Sequence, residues 1–150
     1  MIFRGTFEHT LDAKHRLTVP SKFRVGLKAG LVLGAAPETN SDAPRSLAIW
    51  TLPDHETYTD SALEGLNPLS PQARELKRVL FGSSFETDLD SANRVMIPAN
   101  LMDWAGLDKD VSLTGSGECL EIWDREAYAA YNQDLLARFP EIAARFDHTD

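Results

Sequence analysis

Two short stretches of this chain each place an aspartate four residues before an arginine. The first, LDAKHRLTVP, spans residues 11–20, and the second, LDSANRVMIP, spans residues 89–98. An aspartate that opens a turn accepts hydrogen bonds from nearby backbone N–H groups, so it can close the loop or hold the arginine side chain. Arginine offers a planar fork of donors that fits a phosphate group or the O6/N7 edge of guanine. Both stretches are therefore candidates for binding a polyanionic ligand.

The charge of the chain is unevenly distributed. The formal net charge of the 150 residues is −8, but residues 1–30 carry a net charge of +4 and residues 31–150 carry −12. The six basic residues of the first segment are Arg4, Lys14, Arg16, Lys22, Arg24 and Lys28. This asymmetry predicts a local basic surface on an acidic body, with a chance run of solvated charge as the alternative.

The similarity between the two stretches extends along the chain as an internal repeat. A shift of 78 residues pairs Phe3 with Phe81, Phe7 with Phe85, Glu8 with Glu86, Leu11 with Leu89 and Pro20 with Pro98. LAIW at 47–50 matches LEIW at 120–123 at an offset of 73, which places a longer loop at residues 36–45 of the first copy. A unit of roughly 45–50 residues buries too little apolar surface to be stable alone, so we expect two copies to share one core.

Each copy shows the same order of predicted elements. Residues 3–11 alternate between apolar and polar types, which is typical of a strand. Residues 13–15 form the predicted tip of a hairpin, and residues 16–19 return as a second strand. The following proline suits the first turn of a short helix over residues 21–30. The later strands are LVLG and LAIW in the first copy and VSLTG and CLEIW in the second, after a helix over PANLMDWAGL.

Two longer helices are predicted outside this plan. The first covers residues 70–81 between the copies, and the second covers residues 123–139 after them. Asp124 is a suitable N-cap for the second helix, and Pro140 is expected to end it. Apolar side chains at helical spacing on both segments indicate core or a surface for a partner helix.

The sequence offers little support for enzyme chemistry. The four histidines show no metal-ligand spacing, and Cys119, the only cysteine, cannot form a cysteine-rich zinc site or an intrachain disulfide. Neither of the common glycine-rich nucleotide loops is present. We expect no catalytic residue, no cofactor, no metal and no small-molecule substrate. The chain also lacks an apolar run of membrane-spanning length and a secretory signal, so we expect no membrane partner and a cytoplasmic location.

These features resemble the MraZ family, whose members are transcriptional regulators with two tandem SpoVT/AbrB-type domains. The resemblance covers nearly the whole chain and includes FRGTFEHTLDAKHRLTVPSKFR, LDSANRVMIP, the connecting helix and the LAIW and LEIW strands. It implies an α+β, mainly β fold, namely a pseudo-symmetric swapped-hairpin (double-split) β-barrel with connector and C-terminal helices. The expected domains are a first SpoVT/AbrB-like domain at 5–55, a helical connector at 56–82, a second SpoVT/AbrB-like domain at 83–126 and a helical tail at 127–150.

The resemblance also implies a function. It predicts a sequence-specific regulator that binds double-stranded DNA at short promoter repeats, those of its own division and cell-wall gene cluster. It further implies a homo-oligomer in the form of a ring, associated with the nucleoid. The number of subunits, the operator sequence and the choice between repression and activation stay open.

The motif of the family falls on Asp12 and Arg16 in the first copy and on Asp90 and Arg94 in the second. We expect both arginines to contact DNA and both aspartates to orient them, although a structural ion pair with Asp90 is an equal alternative for Arg94. Additional phosphate contacts are expected from Lys14, His15, Lys22 and Arg24. Their counterparts are Ala92, Asn93, Asn100 and Met102, so the first copy is expected to do most of the binding.

Two other classes of protein stay open at this point. One is an antitoxin-like protein-interaction module, which would act through the acidic helices of residues 124–146 and would survive loss of Arg16. The other is a small hydrolase built on Cys119 or a histidine, although GSGEC at 115–119 favours a small buried cysteine over a nucleophile.

Overall fold

The computed structural model describes residues 1–146, and the elements below are those of this part of the chain. The strands are β1 Thr6–Thr10, β2 Arg16–Thr18, β3 Leu31–Ala35, β4 Leu47–Thr51, β5 Ser84–Thr87, β6 Arg94–Met96, β7 Asp110–Gly115 and β8 Leu120–Asp124. The helices are α1 Ser21–Leu27, α2 Leu52–Leu63, α3 Pro71–Gly82, α4 Ala99–Ala105, α5 Arg125–Ala137 and α6 Phe139–Ala144. The predicted α+β class is confirmed, but the description of the fold as mainly β is wrong, because the helices of the described residues contain more residues than the strands.

The internal repeat has a direct structural counterpart. The series β1, β2, α1, β3, β4 and α2 of the first copy corresponds to β5, β6, α4, β7, β8 and α5 of the second. Helix α2 was not predicted as a separate element, yet the offset of 73 that relates LAIW to LEIW also relates its start to that of α5. The last residues of the predicted tail, 147–150, lie outside the described residues.

The two helices predicted over residues 70–81 and 123–139 correspond to α3 and α5, and each begins at a residue whose side chain caps it. Ser70 Oγ accepts a hydrogen bond from the backbone N–H of Ala73 at 3.2 Å, and Asp124 Oδ2 accepts one from Ala127 at 3.0 Å. The prediction that Pro140 ends the second helix is wrong. Helix α5 already ends at Ala137, and Pro140 lies in the first turn of α6, where its missing N–H costs nothing.

The two repeats exchange strands. The six-stranded sheet has the order β1-β7-β8-β4-β3-β5, so β1 of the first repeat pairs with β7 of the second and β5 pairs with β3. Strands β2 and β6 pair with each other as a separate antiparallel ribbon. The sheet is mostly antiparallel and symmetric about the β4–β8 pair. Because β1 and β5 are its open edges, the predicted closed barrel is not confirmed by the described strands.

Glycine permits the close approach that this exchange requires. A Cβ atom on Gly34 of β3 would lie 2.8 Å from the Cβ of Ser84, at the start of β5. A Cβ atom on Gly115 of β7 would lie 2.4 Å from the backbone nitrogen of Arg4, just before β1. Any side chain at either position would therefore collide with the strand contributed by the other repeat.

A single apolar core lies between one face of the sheet and the layer formed by the ribbon, α1 and α4. Leu17 of β2 and Val95 of β6 are 0% and 1% exposed in this core, together with Ile49 and Ile122 of the central strands. A slip of one residue in the ribbon would turn Leu17 and Val95 outward, so burial determines the register of β2 against β6. Each such buried side chain contributes about 1.5–3 kcal/mol to folding.

The opposite face of the sheet carries a smaller cluster built around Trp50 and Cys119. Helix α2 packs on β3 and β4, where Tyr58 stacks on Trp50 with ring centroids 4.6 Å apart. Helix α5 packs on β7 and β8, where Tyr128 lies 5.1 Å from Trp123. None of the helices in residues 1–146 is long and apolar enough to span a membrane.

Candidate nucleic-acid interface

In the first motif the aspartate both closes the turn and holds the arginine. Asp12 Oδ1 accepts hydrogen bonds from the backbone N–H groups of Lys14 and Arg16, each at 2.9 Å. Asp12 Oδ2 accepts a third from Arg16 Nε at 2.6 Å. The pKa of Asp12 is lowered, chiefly by the backbone N–H of Arg16 and further by its guanidinium, because both stabilise the ionised carboxylate.

The second motif repeats this geometry. Asp90 Oδ1 accepts hydrogen bonds from the backbone N–H groups of Ala92 and Arg94, each at 2.9 Å, and Asp90 Oδ2 accepts one from Arg94 Nε at 2.9 Å. The pKa of Asp90 is lowered for the same reasons. Residues His15 and Asn93 hold equivalent left-handed conformations, with φ values of 57° and 60°. The two turns are therefore alike in backbone and differ in the side chains they present.

Backbone hydrogen bonds tie each turn to the strand of the other repeat. The carbonyl of His15 accepts the N–H of Ile97 at 2.9 Å, and the carbonyl of Asn93 accepts the N–H of Val19 at 3.0 Å. These bonds extend the β2–β6 ladder at both ends. Each left-handed residue thus directs its carbonyl to the partner repeat, and the two loops lie at opposite ends of one ribbon.

The ribbon has one buried face and one open face. Leu17 and Val95 point into the core, so the alternate residues point outward. This outward surface, here called the ribbon face, consists of Arg16, Thr18, Arg94 and Met96. In the ladder Arg16 lies opposite Met96, and Thr18 lies opposite Arg94. The alternation of polar and apolar residues in RLTV places Thr18 on the same face as Arg16, and the repeat offset of 78 places Met96 on the same face as Arg94.

The arginines of the ribbon face are oriented but not saturated. Their side chains are 26% and 31% exposed, and each uses Nε for the bond to its own aspartate. In the part of the chain that the structure describes, the Nη groups of Arg16 and Arg94 donate no hydrogen bond. Each guanidinium therefore retains the donors that a bidentate contact with a phosphate or a guanine requires.

The other predicted contact residues fall into two groups. Lys14 and His15 are exposed in the first turn, directly beside Arg16. Lys22 lies on α1, and its ammonium stands 4.6 Å from the centroid of the Phe7 ring on β1. Arg24 is half-buried and donates from Nε to the backbone carbonyl of Val19 at 2.9 Å. The structure thus brings Lys14 and His15 to the motif, whereas Lys22 and Arg24 contact its supporting elements.

The environment of Cys119 does not favour the role of a nucleophile. Cys119 is 3% exposed, and burial raises the pKa of its thiol to about 12, so little thiolate exists at neutral pH. Burial also lowers the pKa of His9 and His55. Across residues 1–146, no three or more histidine, cysteine, aspartate or glutamate side chains are grouped as metal ligands. His148 lies outside the described residues.

Strand exchange between two repeats and a shared ribbon with two aspartate-held arginines define a tandem-repeat α+β protein with a surface suited to a polyanion. The chain belongs to the MraZ family. The family model, described as "MraZ protein, putative antitoxin-like", matches residues 2–79 and 80–149. This membership confirms the resemblance inferred from the two motifs.

Several bacterial relatives match the chain over most of its length. The Transcriptional regulator MraZ of Mycoplasmoides gallisepticum is 35% identical over 146 residues, which cover 97% of this chain and 98% of the relative. The protein of the same name from Alkalilimnicola ehrlichii is 38% identical over 135 residues, covering 90% and 89%. That from Symbiobacterium thermophilum is 33% identical over 141 residues, covering 94% and 97%.

Proposed function

We propose that this protein is a sequence-specific DNA-binding transcriptional regulator and that the ribbon face is its DNA-binding surface. The observation that carries the proposal is the pair of arginines on the ribbon, each held through Nε by an aspartate and each with Nη groups that donate no hydrogen bond among the described residues. Preorganised guanidinium groups are suited to bidentate contacts with guanine or phosphate. The relatives that match most of the chain are named transcriptional regulators, which supports the same function.

We infer that the two-stranded ribbon of β2 and β6 enters the major groove of B-DNA. That groove admits a two-stranded β-ribbon, and several known regulators use strands in this way. With the ribbon face against the base edges, Arg16 and Arg94 read guanine, and Asp12 and Asp90 act as positioning residues.

Lys14 and His15 lie at the end of the ribbon, where they reach the phosphate backbone. Lys22 and Arg24 extend the basic surface along α1.

The two ends of the ribbon contribute unequally. Lys14 and His15 in the first turn are replaced by Ala92 and Asn93 in the second. The electrostatic part of binding, which depends on the number of phosphate contacts, therefore comes mainly from the first repeat. Arg94 keeps the same hydrogen-bond geometry as Arg16 and so contributes to base recognition as well as to the ion pair with Asp90.

The DNA-binding form of the protein is a homo-oligomer. The family resemblance implies that this oligomer is a ring. Exposed apolar side chains offer contacts between copies, namely Val79 of α3, Leu136 of α5, Phe139 of α6 and Phe146, at 61–68% exposure. Tyr128 is buried against Trp123 and is not available for such a contact. The targets are short repeats in the promoter of its own division and cell-wall gene cluster, bound in the cytoplasm at the nucleoid.

An antitoxin-like interaction module is the second candidate. The same exposed apolar side chains of α5 and α6, and the antitoxin-like description of the family, favour it. In that case the C-terminal helices would bind a partner protein and the ribbon face would be dispensable for the main activity.

Selection from a random double-stranded DNA library tests the proposed function. We expect the wild-type protein to enrich a short motif that contains guanine. The double variant Arg16→Ala with Arg94→Ala should remain folded and enrich no motif. The matched control is Arg145→Ala, an exposed basic residue near the end of α6, which should enrich the wild-type motif. Enrichment of the same motif by the double variant would refute the assignment of the ribbon face.

A further inference from the structure

We infer that Met96 and Thr18 determine sequence specificity by contacting the 5-methyl group of thymine. Each arginine would then work with a methyl-bearing side chain from the other repeat. The two recognition units are Arg16 with Met96 and Arg94 with Thr18. This inference rests on the proposed DNA-binding function and extends it from guanine to a neighbouring thymine.

The register of the ribbon creates these composite units. Arg16 lies directly opposite Met96 in the β2–β6 ladder, and Arg94 lies directly opposite Thr18. Residues in such positions have their Cβ atoms about 4.5–5.5 Å apart and share one face. Bases along one DNA strand are about 3.4 Å apart, so a directly opposed pair of side chains spans neighbouring bases. Neither unit exists within a single repeat, because each combines β2 with β6.

The exposure of Met96 has no explanation in the packing of the chain. Its side chain is 61% exposed, and it belongs to neither apolar cluster of the described residues. The neighbouring Val95 and Ile97 are each 1% exposed, so the core is already filled by the alternate positions of the same strand. A methionine on this face therefore adds nothing to the core. It places a flexible, polarisable side chain with a terminal methyl group beside an arginine that is held for binding.

Thr18, the equivalent residue in the first repeat, also presents a methyl group on the ribbon face. A shift of 78 residues places Thr18 on Met96, and Thr18 is also exposed on the ribbon face. Threonine and methionine differ in size and polarity, but both present a methyl group. In the major groove, thymine is distinguished by its C5-methyl group, which is recognised by apolar contact. Met96 offers more apolar surface than Thr18, so the preference for thymine is stronger beside Arg16 than beside Arg94.

Uracil substitution provides a specific test of a methyl contact. The probe is the tightest-binding duplex that wild-type protein selects from a random library, resynthesised with uracil in place of each thymine in turn. Uracil lacks only the 5-methyl group. For the wild type we expect one thymine beside a guanine at which the substitution weakens binding about three- to fourfold, as expected for loss of one buried methyl group.

The same duplexes are then bound by variants of the ribbon face. Met96→Ser should bind the thymine and uracil duplexes equally at that position, and Met96→Gln, which keeps the length of the side chain, should do the same. The matched control is Leu69→Thr, because Leu69 is 80% exposed in the loop before α3. This control should retain the wild-type preference.

The outcomes separate the two proposals. If the wild type selects no DNA sequence, the proposed function fails and the inference fails with it. If the wild type selects a guanine-containing motif but binds every uracil-substituted duplex as tightly as the parent, only the thymine inference is refuted. The inference is also refuted if both Met96 variants keep the wild-type preference for thymine.

Discussion

Asp12 of the first repeat lies within 3.9 Å of Arg94 of the second, measured from Oδ2 to Nη1. The same oxygen accepts the hydrogen bond from Arg16 at 2.6 Å. One carboxylate therefore faces the arginines of both repeats. Asp90 pairs only with Arg94 among the described residues. The pseudo-symmetric ribbon thus has an asymmetric charge network, in which Asp12 lies near both arginines and Asp90 near one.

This asymmetry predicts that the two aspartates differ in importance. Asp12→Asn keeps an oxygen that can accept the backbone hydrogen bonds but removes the charge that faces two arginines. We expect it to weaken DNA binding, and Asp90→Asn to weaken it by less, because only one arginine loses its partner. Fluorescence anisotropy with the selected duplex measures both. Equal losses would mean that the contact between Asp12 and Arg94 has no role in binding.

The two arginines are also expected to differ. Arg16→Ala should weaken specific binding by roughly 1–3 kcal/mol while the fold persists, because the side chain is partly exposed and supports no core contact. Arg94→Ala should cost less affinity, because its neighbours in the turn are Ala92 and Asn93 rather than Lys14 and His15. Gel-shift assays and thermal melting, with Arg145→Ala as control, check both statements. A folded Arg16→Ala protein with wild-type affinity would contradict the assignment.

Glu121 on β8 predicts a pH dependence of stability. Burial, and then the charge of Glu38, raises its pKa from 4.5 to about 7. Between these values the folded protein holds a proton that the unfolded chain has lost, so stability falls as pH rises from 4.5 to 7. Above pH 7 the Glu121 carboxylate is ionised in the folded protein, although burial disfavours its charge. The neutral variant Glu121→Gln should then be more stable than the wild type by up to about 3 kcal/mol.

Thermal or denaturant unfolding between pH 4.5 and 8 measures the difference in stability between Glu121→Gln and the wild type. This difference should shrink toward zero as the pH approaches 4.5, the ordinary pKa of a glutamate. The matched control is Glu118→Gln, because Glu118 is exposed on the neighbouring turn and should show no such trend. A difference between Glu121→Gln and the wild type that is constant with pH would refute the explanation.

Tight DNA binding is expected to require the assembled oligomer. A single basic segment of net charge +4 on a body of −12 makes few phosphate contacts, so one copy binds weakly at physiological salt. Several copies on one assembly convert later contacts into intramolecular ones, which raises affinity by ~10²–10⁴. This requires DNA repeats about 10 base pairs apart, on the same side of the duplex.

Affinity measured against the number and spacing of repeats tests this requirement. The comparison uses the wild type and a monomeric variant, such as Leu136→Asp with Phe139→Asp. A folded monomer that binds one repeat as tightly as the oligomer binds several would contradict the prediction. The same conclusion follows if moving one repeat by half a helical turn leaves affinity unchanged.

The first repeat alone is expected not to form a folded monomer. A fragment of residues 1–82 lacks β5, which pairs with β3, and β6, which pairs with β2. Leu17 and Leu31 would lose the packing that keeps each of them 0% exposed. The fragment should therefore stay unfolded or pair with a second copy of itself. Circular dichroism together with sedimentation distinguishes these states, and a folded monomeric fragment would contradict the exchange of strands.

Features that depend on residues close in sequence were predictable. The two Asp-x-x-x-Arg turns form because the carboxylate bonds backbone N–H groups two and four residues ahead. Helices α1 and α4 follow their prolines, and Asp124 caps α5 as expected. Helix α2 was harder to predict because its sequence, LPDHETYTDSAL, lacks a clear apolar stripe and buries only Thr59. The repeat offset of 73 would nevertheless have located its start.

Features that depend on which strands pair were decided only by the tertiary structure. The two-residue alternation along each strand shows that Leu17 and Val95 point to the same side as the other apolar residues of their strands. It does not identify the strand with which each one pairs. The pairing of β2 with β6 places Arg16 opposite Met96 and brings Asp12 within 3.9 Å of Arg94. The sequence by itself therefore determined the family, the repeat and the chemistry of each turn. The exchange of strands decided that the two turns form one surface, because neither repeat can bury its apolar residues without the other.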